Sequence, residues 1–359
     1  MRIPLIILMT LQLTFSYAGV QSYTPEAVTN YLSYISGMMA GRPLSPEELA
    51  AIDNDPQGAL NSILETWVGG EFFNESARIM IQTQLTTSGG DGGVNYDFPG
   101  NLARYIAKNK LPYSQILTAN YCVDNNGAKT GCDTGAPFTA GVLTTKAFMI
   151  RNTGRFNLGR AGRLLKQFMC KEYPLDTKLQ IPINREELIP MFQVLKGEPN
   201  SDFGNGFACY NCHSQFGAHA QFFVKFDSTG KYVSSATGVQ NPNLEAGKSF
   251  NGLFTSHFNN IRTAISETSQ MFGKRVSNLA GAAEVMARTP MFVECAVKNS
   301  LKYVLRLDHS EVATIPVPLI REIASQLPGA EKATLQEIML AALKNPLVIE
   351  SVLTSGEPQ

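Results

Sequence analysis

The stretch Gly206-Phe-Ala-Cys-Tyr-Asn-Cys-His213 contains a C-x-x-C-H sequence, which is typical of the sites where c-type haem is covalently attached. Two residues between the cysteines place both sulfurs on one side of a helical turn, where they can add to the two haem vinyl groups. The next residue presents its imidazole to the iron from the same side. We therefore predict one bound haem c, with Cys209 and Cys212 as thioether residues and His213 as the proximal iron ligand.

A C-x-x-C pair also occurs in disulfides, zinc sites and thioredoxin-like redox centres. A zinc site needs two further ligands at compact spacing. His219 lies near, but the chain has no second C-x-x-C. A thioredoxin-like centre is expected in a βαβ context, which the surrounding sequence lacks. The histidine directly after the second cysteine therefore favours haem.

The first 18 residues have the pattern of a secretory signal peptide. Met1-Arg2 is a short basic start, residues 3–15 are mostly apolar, and Ser16-Tyr17-Ala18 supplies small residues for cleavage after Ala18. The apolar run has about 13 residues, whereas a membrane span needs about 20. No later segment is apolar enough to span a membrane. We therefore predict an exported protein, periplasmic or secreted, in the compartment where haem c is attached.

The charge balance limits the classes of partner. The chain has 359 residues, and its 30 Lys and Arg side chains are matched by 30 Asp and Glu side chains. General binding to nucleic acid or to anionic membranes needs a surplus of basic residues, so we expect neither. An apolar content of 44% is enough for one large domain or two ordinary ones.

Helical spacing of apolar residues dominates the chain, beginning with residues 24–40. Ser45-Pro-Glu-Glu48 is a capping box, which predicts the start of a helix. Further helical patterns cover residues 57–67, 73–84, 99–108, 140–150, 158–170, 185–195, 258–271, 276–287, 290–306, 317–326 and 331–344. The Gly-rich segment 88–93 predicts a flexible loop, and residues 222–256 predict loops with one or two short strands.

The four cysteines outside the motif predict disulfides, since exported proteins meet oxidising conditions. Cys122 and Cys132 flank a polar, turn-rich segment that folds back readily, and we predict that they pair. Cys170 and Cys295 are then left to pair with each other.

The remaining haem contacts are candidates only. Methionine suits iron in electron-transfer sites, and Met149 is our preferred sixth ligand, with His257 or an open iron position as alternatives. Basic side chains cluster between residues 146 and 166. Among them Arg155 and Arg160 are candidate partners of the haem propionates or of an acidic protein, and solvated helix charges are the alternative.

Several motifs resemble those of the large exported cytochromes of planctomycete type. Ala140-Gly-Val-Leu-Thr-Thr-Lys-Ala-Phe148 is similar to their G-[LI]-L-T run. Arg160-Ala-Gly-Arg-Leu-Leu-Lys-Gln-Phe-Met-Cys170 resembles their Arg-Gly-started helix that ends in Leu-Leu-Cys. After C-x-x-C-H, Phe226-Asp-Ser-Thr-Gly-Lys-Tyr232 is similar to their Phe-Asp-x-x-Gly-x-Tyr segment.

The resemblance covers about residues 40–85 and 138–350. It includes three further motifs, namely Gly41-Arg-Pro-Leu-Ser-Pro-Glu-Glu48, Phe292-Val-Glu-Cys295 and Leu301-Lys-Tyr-Val-Leu-Arg306. One departure follows the haem motif, where Gly217-Ala-His-Ala220 replaces the usual Asp-Pro-x-Gly. The resemblance implies a haem-bearing redox module and supplies no substrate.

Together these patterns predict an all-α protein. An N-terminal helical region over 19–120 is expected to precede a multi-helix, cytochrome c-like haem domain over 136–355 with loop-rich inserts. The favoured function is a monohaem electron-transfer protein that exchanges electrons with a redox partner protein. One alternative is a haem enzyme or small-ligand sensor with an open iron position. Another is a secreted binding protein whose haem is structural.

Overall fold

The computed structural model describes residues 23–154, 157–176, 207–235, 266–307 and 314–355. The predicted signal peptide over 1–18, the predicted helix over 185–195, Arg155 and His257 lie outside the described residues. The described part is mostly helical, which confirms the all-α prediction. Its α-helices are α1 (Pro25–Met39), α2 (Pro46–Asn54), α3 (Pro56–Val68), α4 (Glu71–Leu85), α5 (Phe98–Lys108), α6 (Gln115–Thr118), α7 (Lys146–Arg151), α8 (Leu158–Phe168), α9 (Phe207–Ala220), α10 (Leu279–Ala287), α11 (Pro290–Val304), α12 (Val317–Ser325), α13 (Leu335–Leu343) and α14 (Pro346–Ser355).

The predicted capping box at the start of α2 is confirmed. The Ser45 hydroxyl accepts the Glu48 N–H, and the Glu48 carboxylate accepts the Ser45 N–H. The same carboxylate accepts two bonds from the Arg42 guanidinium at 2.7 and 2.8 Å and one from the Trp67 indole at 2.8 Å. The Arg42 bonds are the main reason that the pKa of Glu48 falls to about 2. Glu48 thus joins the entry of α2 to α3.

Short antiparallel hairpins interrupt the helices. Strand β1 (Gly90–Asp91), in the Gly-rich segment, pairs with β2 (Val94–Asn95), which directly follows that segment, and β3 (Cys122–Val123) pairs with β4 (Lys129–Thr130). Strands β5 (Ser269–Met271) and β6 (Lys274–Val276) form a third hairpin. Residues 222–235 contain an isolated bridge from Phe226 to Tyr232.

The helix predicted over 258–271 is wrong in its described part, because residues 269–271 form β5. The cause is the turn that follows. Phe272 and Gly273 both have positive φ, 49° and 76°. Two consecutive residues of this kind reverse the chain into a tight hairpin and cannot continue a right-handed helix. Residues 269–276 therefore form a hairpin.

The hydrophobic core is continuous from α1 to α14. Buried residues of both chain regions belong to one cluster, which runs from Val28 to Val352. The Tyr31 hydroxyl in α1 donates to the carbonyl of Leu343 at the end of α13, at 2.7 Å. Lys344 forms an ion pair with Glu65 in α3 at 2.6 Å. The predicted boundary between regions 19–120 and 136–355 therefore does not divide the core.

Both predicted disulfides are present. Cys122 and Cys132 close the β3–β4 hairpin, with their Cα atoms 5.0 Å apart. Cys170, just after α8, is bonded to Cys295 in α11, with Cα atoms 5.2 Å apart. The second disulfide joins residues 125 positions apart and ties the segment that follows α8 to the C-terminal helices.

Candidate functional site

Helix α9 carries the complete C-x-x-C-H motif, from its third residue to its seventh. At about 100° per residue, Cys209, Cys212 and His213 fall within an arc of about 100° on the helix. The three positions therefore share one face of α9. The Cys212 side chain is half-buried, and the side chain of Cys209 lies outside the described part of the structure.

His213 is buried at 9% relative exposure, and the Phe216 ring is its aromatic neighbour, with centroids 5.6 Å apart. Burial lowers the pKa of His213 to about 4. Its imidazole is therefore neutral at neutral pH, which is the form that binds metal ions.

The motif face continues along α9 as two rows of residues spaced by three. One row is Cys209, Cys212 and Gln215, and the other is His213, Phe216 and His219. Each row ends on residues that contact the segment after α8. Within that segment, the Leu175 N–H donates to Gln215 Oε1, and the Tyr173 ring contacts the Phe216 ring.

His219 occupies a fully buried position near the end of α9. Its Nδ1 is hydrogen-bonded to the Tyr173 hydroxyl. Within the described residues, its Nε2 has no hydrogen-bond partner. Burial lowers the pKa of His219 to about 3. Since His219 lies on the same helix as His213, it is not placed to reach the opposite face of a group bound there.

The sequence reasoning did not identify Tyr173 and Phe216. The spacing of three residues from His213 to Phe216 was an available signal, since residues three apart are neighbours on a helix. Tyr173 gave no comparable signal, because it is 46 positions away from His219 along the chain.

Met149, the predicted sixth ligand, is a fully buried residue of α7. Its neighbour Phe148 contacts Phe223 in the short 3-10 turn that follows α9, with ring centroids 6.3 Å apart. This contact places α7 beside the C-terminal end of α9, whereas His213 lies in the middle of that helix. Ligation by Met149 stays a prediction.

Arg160, a predicted propionate partner, is a buried cation at 1% exposure. Its Nε donates to the Met149 carbonyl at 3.1 Å, and its Nη1 donates to Asn157 Oδ1 at 3.0 Å and to the Phe226 carbonyl at 2.7 Å. Its Nη2 donates to the Asp227 carbonyl. Within the described residues, four of its five N–H groups therefore bind acceptors of the protein itself. A propionate contact stays a prediction.

Comparisons with protein-family models, with curated proteins and with solved structures found no match for this chain. Over the ranges that the structure describes, none of the helices is both long enough and apolar enough to cross a membrane.

Proposed function

We propose that this chain is an exported, monohaem c-type cytochrome that transfers electrons to or from a redox partner protein. The observation that carries the proposal is the placement of Cys209, Cys212 and His213 on one face of a single helix. The two disulfides support the proposed periplasmic or secreted location, because disulfides persist in oxidising compartments.

The residues present fit a covalently attached haem. Two thiols and an imidazole within one helical arc are the donor set that such a haem uses. His213 is buried and neutral, so it can offer a nitrogen lone pair without first losing a proton. A bound haem would supply one-electron redox chemistry at this place.

The chain's own residues have separable tasks in this proposal. Cys209 and Cys212 fix the position of the group relative to α9, and His213 holds the iron. Phe216 lies against the His213 ring and keeps water from that side of the imidazole. Exclusion of water around a metal ligand influences the reduction potential of the centre.

The test is to produce the full chain in a host that attaches haem c in its periplasm. Intact mass and the spectrum of the alkaline pyridine derivative should give one thioether-linked haem per chain. A Cys209→Ala, Cys212→Ala double variant should lose the haem. The matched control is Cys122→Ala with Cys132→Ala, which also removes two cysteines and should retain it.

Two results would contradict the proposal. One is a purified protein without haem, in particular one whose mass shows only oxidation of Cys209 and Cys212. The other is a high-spin spectrum that changes on adding carbon monoxide or peroxide, which supports a haem enzyme or sensor instead. A low-spin spectrum with a methionine-to-iron band that disappears in Met149→Ala would support electron transfer with Met149 as sixth ligand.

A further inference from the structure

The segment from Cys170 to Asp176, named here the 170–176 segment, lies along the continuation of the motif face of α9. The geometry points to Tyr173 in this segment as a positioning residue for His213, acting through the ring of Phe216. The inference rests on the proposed function, since it concerns the ligand that would hold the iron. It adds a residue that no motif in the sequence identifies.

The first step is the contact between three aromatic rings. The Tyr173 and Phe216 ring centroids are 3.7 Å apart at an interplanar angle of 36°, and the Phe216 and His213 centroids are 5.6 Å apart at 45°. Phe216 thus contacts both other rings. Because protein interiors are close-packed, the His213 ring cannot move toward Phe216 unless Tyr173 also moves.

The second step is that Tyr173 is itself held at several points. Its hydroxyl is hydrogen-bonded to Nδ1 of the fully buried His219. Two residues later the Leu175 N–H donates to Gln215 on α9. Three residues earlier the disulfide from Cys170 to Cys295 fixes the segment to α11. A side chain anchored in this way can transmit rigidity to a neighbour.

The third step concerns what such rigidity does for a metal ligand. Residues outside the ligand set orient the ligands, and their loss typically costs about 10- to 100-fold in metal affinity or activity. A His213 ring held in one orientation by Phe216 is already arranged for coordination. If Tyr173 loses its ring, Phe216 gains room and the imidazole gains other orientations. His213 should then leave the iron more readily.

The experiment uses the haem-loaded full chain with Tyr173→Leu and Tyr173→Phe. Two quantities are measured from optical spectra. One is the midpoint potential, and the other is the proton concentration at the midpoint of an acid titration, where half of the iron has lost its histidine ligand. Tyr173→Leu should lower that proton concentration by about tenfold and lower the midpoint potential. Tyr173→Phe retains the ring that contacts Phe216 and loses only the bond to His219, so it should restore most of both shifts. Far-UV circular dichroism at each pH checks that the chain is still folded.

The control for a purely structural effect is Tyr31→Leu, which removes a buried tyrosine from α1, a helix that packs on α3 and α14. It should lower the thermal stability and leave both spectroscopic readouts unchanged. If Tyr173→Leu does not fold, Phe216→Leu provides the test and should give the same shift in the proton concentration.

Haem-loaded Tyr173→Leu or Phe216→Leu with both readouts at wild-type values would overturn this inference and leave the proposed function standing. A wild-type chain without haem would overturn both together. The haem content of every variant, measured by intact mass, distinguishes the two cases.

Discussion

Two buried residues, Arg160 and His219, show how ionisable groups are accommodated in the interior of this protein. Arg160 is satisfied by three main-chain carbonyls and one side-chain amide, and burial lowers its pKa to about 10, so it stays charged. His219 takes the other course. Burial lowers its pKa to about 3, so it stays neutral at neutral pH. An arginine cannot be neutralised within the ordinary pH range, whereas a histidine can.

Stability should depend on pH through His219. Its pKa in the folded state is about 3, against 6.5 for an unperturbed histidine. Between these values the unfolded chain binds the proton and the folded chain does not, so stability falls as pH falls through this window, by up to about 1.4 kcal/mol per pH unit. In His219→Gln this contribution to the slope of the unfolding free energy against pH should be missing. Urea unfolding at neutral pH and at about pH 4.5 measures it.

Leu164→Ala is the control for this experiment, because it removes buried apolar atoms from α8 and adds no titratable group. It should lower the free energy of unfolding equally at both pH values. If the unfolding free energy of His219→Gln falls between the two pH values as much as that of the wild type, the assignment of the pH dependence to His219 is contradicted.

Arg160 also illustrates what the sequence could not reveal. As one of several basic residues in a short stretch, it was a candidate for a haem propionate. The structure gives two of its donors to Phe226 and Asp227, which lie 66 and 67 positions later in the chain. Acceptors at main-chain carbonyls leave no trace in residue types, so this pairing has no sequence signal.

At the level of elements, the two hairpin turns that begin at Asp124 and Asp227 are built alike. In each, the aspartate carboxylate accepts the N–H groups of the residues two and four positions later, and the aspartate carbonyl accepts the glycine N–H. Gly127 and Gly230 hold the equivalent position, with φ of 82° and 75°. Both turns therefore need a residue that tolerates positive φ.

The two glycines should differ in their tolerance of alanine. A Cβ at Gly127 meets nothing within 4 Å, whereas one at Gly230 lies 3.1 Å from the Met149 Cβ and 3.2 Å from the Lys146 Cα. Gly127→Ala should cost about 1–2 kcal/mol from the left-handed backbone alone. Gly230→Ala should cost a further ~1–3 kcal/mol because it crowds α7. Denaturant unfolding compares them, and equal losses would contradict this difference.

Most of the helices followed from periodicity, whereas α6, α9, α14 and the two hairpins β1–β2 and β5–β6 did not. The pattern over 290–306 predicted α11, which spans Pro290–Val304, and 73–84 predicted α4, which spans Glu71–Leu85. These helices each bury a stripe of apolar residues along several turns, so the period is visible. Strands of two or three residues, such as β1 or β5, are too short to show an alternation. Their form is decided by glycine turns and tertiary packing.

At the scale of the whole molecule, the two disulfides cross-link very different lengths of chain. Cys122 and Cys132 are 10 positions apart, whereas Cys170 and Cys295 are 125 apart. By the loop-entropy model, a cross-link that closes a longer loop removes more freedom from the unfolded chain. The long cross-link also joins α11 to the 170–176 segment, so it connects the core to the face of α9 that carries the motif.

Removal of the long disulfide should cost more stability than removal of the short one. On the chain-entropy estimate, Cys170→Ala with Cys295→Ala should lower the free energy of unfolding by about 5 kcal/mol, and Cys122→Ala with Cys132→Ala by about 3 kcal/mol or less. Guanidinium unfolding under non-reducing conditions measures both. The reverse order would show that the short hairpin, and not the long loop, limits the freedom of the unfolded chain.

The hydrogen bond from Tyr31 to Leu343 joins residues 312 positions apart, within the same core. Helix α1, near the start of the chain, therefore completes this buried hydrogen bond only after α13, near the end of the chain, has packed beside it. Until then the Tyr31 hydroxyl has no protein partner and the side of α1 that packs on α14 is exposed, although α1 can already pack on α2, α3 and α4. Folding dominated by such distant contacts is slow, since a large loop must close before the contact forms. The interval before closure is when this chain is most exposed to proteolysis and aggregation, and when a chaperone that shields α1 would have its greatest effect.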